Sequence, residues 1–369
     1  MQDAVYLDHN ATTPVHPEVV EAMLPYLTEH WGNPSSSHRA GRAARRGVER
    51  AREQVASLIG ARATEVVFTS GGTESDNLAI HGVLQGREGA VLTSPFEHPA
   101  VAEPLAHLEG EGRSVVRLPV DADGCCVVPD ALPDDLALVT VMLAHNETGA
   151  LQPVAELAAR AGDVPVHTDA AQAVGKVQVD VDALGVDLLT IAGHKLYAPK
   201  GVGALYVRQG TELAPFARGA SHEAGRRPGT ENVAGVVALG MACHLAQERL
   251  AVRAERMATL RERLWRHLAV VPGLRRTVPA HKALPNTLHV RFPRMTGTRL
   301  LARCPGVAAS TGSACHAGEE RPSGSLLAMG LAPDDAMGAV RLSLGSNTTP
   351  EDVDRAGAEL VQAWQRLVS

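Results

Sequence analysis

Cysteine is sparse in this sequence and shows no pattern. The five cysteines are Cys125, Cys126, Cys243, Cys304 and Cys315. An odd number without regular spacing excludes a disulfide framework and points to a reducing cytoplasm. No pair has C-x-x-C spacing, and His-Glu-x-x-His is absent despite 16 histidines, so no metal site is expected. No apolar run approaches the ~18 residues that a membrane span needs. Met1-Gln2-Asp3 leads into no signal-peptide core. An excess of one charge is missing too. A net charge of −6 and a pI near 6.2 offer no surface to nucleic acid or membrane. The densest basic cluster (Arg39, Arg42, Arg45, Arg46, Arg50 and Arg52) falls at helical spacing and reads as a solvated helix face. Internal repeats and low-complexity tracts are absent. With 369 residues, 45% of them apolar, the chain can bury a large core in two domains.

What is present is alternation. Glu65–Thr69, Ala90–Thr93, Ser114–Leu118, Leu136–Met142, Val164–His167, Leu188–Ala192 and Gly203–Val207 read as buried strands. Helical patterning separates many of them, including a long amphipathic stretch from Ser37 to Ile59 closed by Gly60. This alternation predicts an α/β fold with a mostly parallel seven-stranded sheet covered on both faces. From Glu231 the pattern is helical to Leu268, then mixed, and it ends in a helix over Pro350–Leu367. The expected division is a large α/β domain over residues 16–248. Residues 1–15 and 249–369 would form a smaller α+β domain.

The most informative stretch is Gly193-His194-Lys195, between the last two apolar runs. Desolvating an ammonium is costly, so a lysine there needs a role. A desolvated lysine is partly neutral and can form a Schiff base with an aldehyde, of which pyridoxal 5′-phosphate (PLP) is the common cofactor. Four strand exits carry polar residues that such a site could use. Ser70-Gly71-Gly72-Thr73 either cradles a phosphate or is a turn with a threonine cap. His98 either stacks on a cofactor or is structural. Asn146 either binds an oxygen of the ligand or caps its loop. Asp169, with Gln172 three residues on, either holds a pyridinium or caps a helix. Cys315 lies in a small, polar, Gly-rich loop beside His316, a setting suited to a nucleophilic thiolate. Cys125 and Cys126 read as incidental.

Together these stretches resemble the cysteine desulfurases, in the class V branch of the fold-type-I PLP enzymes, with selenocysteine lyases as close relatives. The motifs are Tyr6 to Pro14, Phe68 to Asn77, Asn146 to Gly149, His167 to Val174, Gly193 to Lys195, Arg227 to Thr230, Ser313 to Cys315 and Val340 to Gly345. The resemblance implies that Lys195 carries PLP and moves protons at the substrate Cα. It implies that Asp169 holds the pyridine nitrogen, Gln172 contacts the ring oxygen and His98 stacks on the ring. Gly72, Thr73 and His194 would bind the phosphate. Thr230 would reach the neighbouring subunit's phosphate, making a homodimer. Asn146, Asn33 and Arg341 would hold the substrate carboxylate. Cys315 would take sulfur from L-cysteine, or selenium from selenocysteine, leaving alanine. The sulfur would then pass to an acceptor protein. The complete Asp169–Lys195–Arg341–Cys315 set argues against a PLP-less binding module of the same fold.

Three departures accompany the resemblance. Ala192 stands where many members have a phosphate-binding serine. Arg227–Asn232, Tyr6–Asn10 and Ala314–His316 look like the selenocysteine-lyase side, whereas the spacing from Cys315 to Pro322-Ser323 looks like the long-loop desulfurases. The chain stops at Ser369, short of the extension that docks an iron–sulfur scaffold. This leaves the acceptor open among such a scaffold, a tRNA-thiolation protein and a dedicated biosynthetic pathway.

Overall fold

The structure is a computed structural model and describes residues 4–311 and 321–368. The chain enters as β1 (Val5–Tyr6), crosses an irregular stretch and forms α1 (Pro17–Thr28) and α2 (Arg39–Ile59). Gly60 closes α2 in the left-handed region, at φ 71°. Seven strands then build the main sheet: β2 (Val66–Thr69), β3 (Ala90–Thr93), β4 (Val115–Arg117), β5 (Leu136–Thr140), β6 (Val166–Asp169), β7 (Leu188–Ala192) and β8 (Gly203–Val207). Their spatial order is β2-β8-β7-β6-β5-β3-β4. Only β8 runs against its neighbours. The connection from Gly193 to Val202 is too short to cross over the sheet, so β7 and β8 form a hairpin, with Ala192 opposite Gly203.

The sheet is buried on both faces, which is why most of its strands read as nearly continuous apolar runs; β6, Val166-His167-Thr168-Asp169, is the exception, and its buried polar side chains are hydrogen-bonded. One face, with Phe68, Leu189, Ile191 and Tyr206, packs on α2, α5 (Val154–Ala161) and the first half of α7 (Val233–Leu268). The other, with Val67, Leu188, Leu205 and Val207, packs on α3 (Gly72–Leu84) and α4 (Pro99–Gly110). A single helical turn, α6 (Val181–Leu184), leads into β7. Small differences from the sequence reading have local causes. β5 stops at Thr140 rather than Met142, because the Met142 amide goes to the Glu97 carboxylate. Arg52 leaves the expected solvated face of α2, pairs bidentately with Glu223 and lies over Phe68.

A second core forms on β9 (Arg275–Arg276), β10 (Thr287–Arg291) and β12 (Ala339–Ser343), while β11 (Val307–Ala308) pairs with β1. The C-terminal helix, Pro350–Val368, covers it. α7 belongs to both cores. Val236 to Ala246 face the first, and Met257, Leu260, Leu264 and Leu268 face the second. The boundary expected at 248/249 falls inside this one 36-residue helix.

The β7–β8 hairpin touches the start of α3 at glycines. A Cβ on Gly203 would lie 2.6 Å from the Ile191 carbonyl oxygen and 2.7 Å from the Gly71 Cα. Neither is a flexible side chain. Gly203→Ala should therefore destabilise the fold by about 1–3 kcal/mol, as overpacking does; a urea midpoint equal to that of the unsubstituted protein would show that the contact is looser.

Candidate active site

A cavity of about 400 Å³ opens at the carboxyl ends of the parallel strands, where open α/β sheets place ligands. Gly72, Thr73, His98, Asn146, Asp169, Gln172, His194, Lys195 and Arg341 all line it. Asn33 and Thr230 do not; both are exposed, and the Asn33 side chain accepts the Ser35 amide. Cys315 lies outside the described residues. Among the described residues, no group of three His, Cys, Asp or Glu side chains is placed to hold a metal ion.

Lys195 ends a 3-10 turn that starts where β7 stops. Its Nζ donates to the carbonyl oxygens of Asn10, at 2.5 Å, and Ala11, at 2.8 Å. Burial, and after it the charge of Arg341, lower its pKa from 10.5 to about 8 against the pull of Asp169 and Asp8. The turn is held from behind by Tyr197, at φ 66°. The Tyr197 amide donates to Thr13 Oγ1, its hydroxyl accepts the Ser346 amide, and Arg253 lies over its ring.

Asp169 ends β6. One carboxylate oxygen accepts the Ala171 amide at 2.8 Å, which is the local capping role. Its other oxygen has no hydrogen bond among the described residues, and the side chain lines the cavity. Burial raises its pKa, opposed by that amide, His98 and Lys195. Asp76, from α3, also lines the cavity, and burial and the charge of Asp169 push its pKa well above the usual carboxylate range. His167 Nε2 lies 3.6 Å from Asp76 Oδ1. This is not an ion pair. Burial drops the His167 pKa to about 3, and its ring is satisfied by Thr140 and Thr190.

The other end of the cavity is an uncapped helix. The N-cap of α3 is Gly71, which offers no side-chain hydrogen bond, and Thr73 sits inside the first turn rather than capping it. The first amides of α3 are therefore free to meet an anion. Ala192 fills the space beside them. A Cβ on Gly72 would lie 3.3 Å from the Ala192 methyl. His194 approaches from the hairpin with Nδ1 3.1 Å from Thr12 Oγ1, and burial lowers its pKa to about 4.

His98 is both structural and site-facing. As N-cap of α4 its Nδ1 accepts the Ala100 amide at 3.1 Å, which leaves the ring proton on Nε2. Glu97 pins the corner by accepting the Met142 amide and the Ser94 hydroxyl. Arg341, on β12, donates to the Asn146 carbonyl at 2.9 Å and to Asp8 Oδ1 at 2.6 Å. That uses two of its five N–H donors.

The family model for aminotransferase class-V matches residues 5–356. The chain belongs to the class-V aminotransferase family. It is 43% identical to the cysteine desulfurase IscS of Methanosarcina thermophila, over 99% of this chain and 93% of that protein. It is 44% identical to the cysteine desulfurase NifS of Azotobacter vinelandii, over 96% of this chain and 91% of that one. A solved NifS-like protein superposes with a TM-score of 0.90 at 36% identity, covering 99% of both chains. SspA in complex with cysteine gives 0.82 at 35% identity, covering 92% of this chain and 98% of that one. Within this family fold, sequence reasoning assigned no role to Asp8, Asn10, Asp76 or Lys176. Asp8 and Asn10 lay in a quoted motif, but their partners are more than a hundred residues away.

The lowered Lys195 pKa has a direct readout. Labelling by an amine-selective reagent, followed lysine by lysine with mass spectrometry, should climb through about pH 8 for Lys195. Lys282, whose pKa is raised by its pairing with Asp123, should climb at higher pH. Identical profiles for the two would refute the desolvation argument.

Proposed function

We propose that this chain is a PLP-dependent cysteine desulfurase that converts L-cysteine to L-alanine and takes the sulfur as a persulfide on Cys315. The observation that carries the reading is the convergence of Lys195, Asp169 and Arg341 on one cavity whose far end is an uncapped helix terminus. The donor set fits PLP. Lys195 offers an amine of lowered pKa, and Asp169 a buried carboxylate with one oxygen to spare. The α3 amides, Thr73 and His194 suit a phosphate, His98 a ring face, and Gln172 a ring oxygen. When bound, PLP supplies an electron sink for negative charge at the substrate Cα.

The chain's own residues do the rest. Asp169, as a carboxylate, would hold the pyridine nitrogen in its protonated form. Lys195 would anchor the cofactor's aldehyde and would move the proton at the substrate Cα. Arg341, with three donors to spare, and Asn146 hold the substrate carboxylate. The Cys315 thiolate attacks the substrate sulfur. An S–S bond forms as the Cβ–S bond breaks, the electron pair stays with carbon, and a proton at Cβ completes alanine. No external oxidant is required, and a thiol on an acceptor protein can then take the terminal sulfur.

The reading includes a homodimer in the cytoplasm. Val20, Leu24 and Leu27 on α1, with Trp31 just past its end, leave an apolar stripe that is between 45% and 74% exposed. In such a homodimer Thr230, exposed and outside its own cavity, would reach the phosphate site of the neighbouring subunit. No described helix is long and apolar enough to cross a membrane. We assign residues 16–248 to the large cofactor domain and 1–15 with 249–369 to the small one; the change of core along α7 supports this division.

Alanine and persulfide should both form from cysteine, with selenocysteine assayed beside it. Activity on selenocysteine alone would make the chain a selenocysteine lyase. Cys315→Ala should keep PLP bound yet lose sulfide release at least ~100-fold, and unchanged turnover would remove Cys315 from the mechanism. Leu24→Glu with Leu27→Glu should sediment as a monomer; a persistent dimer would place the interface elsewhere.

A further inference from the structure

Lysine is rare in this chain. Lys176, Lys195, Lys200 and Lys282 are the four among 35 lysines and arginines. Lys282 is ion-paired with Asp123, and Lys195 belongs to the proposed chemistry. Lys176 has neither explanation. Its amine is desolvated and repelled by Lys195 and Arg341. Among the described residues, no carboxylate lies within ion-pair distance of it. A desolvated amine without a carboxylate partner weakens a fold whether it keeps its proton or gives it up, so the residue calls for a role.

Its contacts supply one. Lys176 Nζ donates to Gln172 Oε1 at 2.7 Å and to Asn10 Oδ1 at 3.0 Å. On the other side of the same amide, Gln172 Nε2 donates to the Asn10 carbonyl at 2.9 Å. That carbonyl can only accept, so it must face Nε2, and Oε1 is left for the lysine. The Asn10 side chain is fixed by the same logic. Its Oδ1 also accepts from Asn286, and its Nδ2 donates to Thr287 Oγ1. Gln172 is therefore clamped at both ends of its amide, with its second N–H free for the cavity that it lines.

We propose that Lys176 is a positioning residue that staples Gln172 to Asn10, so that Gln172 presents a hydrogen-bond donor to the ring oxygen of the cofactor. One amine nitrogen serves both acceptors, a geometry that the planar fork of an arginine does not reproduce. The proposal rests on the PLP site proposed above.

The test is a double-mutant cycle read by absorption. Apo protein loaded with PLP is titrated with pH, and the midpoint of the visible-band change is recorded. Losing a donor to the ring oxygen makes that oxygen more basic. Lys176→Met should therefore raise the midpoint by about 0.5–1 pH unit. In a Gln172→Ala background the same substitution should leave the midpoint unmoved. An equal shift in both backgrounds would mean that Lys176 acts by its charge through space, and no shift in either would mean that it does not act on the cofactor; both results overturn the proposal. If Lys176→Met fails to fold, Lys176→Gln enters the same cycle with the same criterion. A protein that develops no visible band with PLP, even unsubstituted, defeats the underlying reading of the site, which is a different failure from a band that does not couple.

Discussion

The Lys195 amine rests on two peptide carbonyls, those of Asn10 and Ala11, and much of the surrounding structure keeps it there. The lysine comes from a hairpin in the middle of the chain, whereas its acceptors come from the first dozen residues. That N-terminal strip is fixed in turn by the second core. Asn10 is bonded by Ser343, Asn286 and Thr287, and Asp8 by Arg341. Lysine placement and Arg341 placement are therefore one problem with one solution. The strip that receives the amine also pairs with the guanidinium.

Burial shapes the electrostatics of the cavity more than pairing does. His167, His145 and His194 are all pushed well below their ordinary pKa, and Asp76 and Asp169 are pushed up. The three imidazoles are therefore neutral hydrogen-bonding groups near pH 7, and they leave the few charges of the cavity unscreened. In a low-dielectric setting a single carboxylate and a single guanidinium act strongly on whatever lies between them. The uncapped start of α3 adds a positive end at the opposite wall without adding a titratable group.

The sheet was legible in the sequence because most of its strands, buried on both faces, are short apolar runs; β6, with His167 and Thr168, is the polar exception. The strand exits were legible for the converse reason, since Asp169, His98 and Asn146 are polar residues where an apolar run has just ended. The alternatives posed for Asp169 and His98 were false choices. Each uses one atom for a local amide and keeps the rest of its side chain for the cavity. The threonine cap was the wrong alternative at α3, where a glycine leaves the helix end open. The roles of Asn10 and Lys176 were illegible. Asn10 lies in the Tyr6–Pro14 motif and Lys176 in none, and the meaning of both comes from contacts that only the folded chain brings together.

The strand β1 pairs with β11, and Asp8, just beyond it, bridges to Ser343 on β12. Asn10 is held by Asn286, Thr287 and Ser343, and its carbonyl is one of the two seats of the Lys195 amine. The N-terminal strip thus works as a strut between the two cores. A lysine that hangs from the first core is held in place by the second, so any loosening of the second core is felt at the reactive amine.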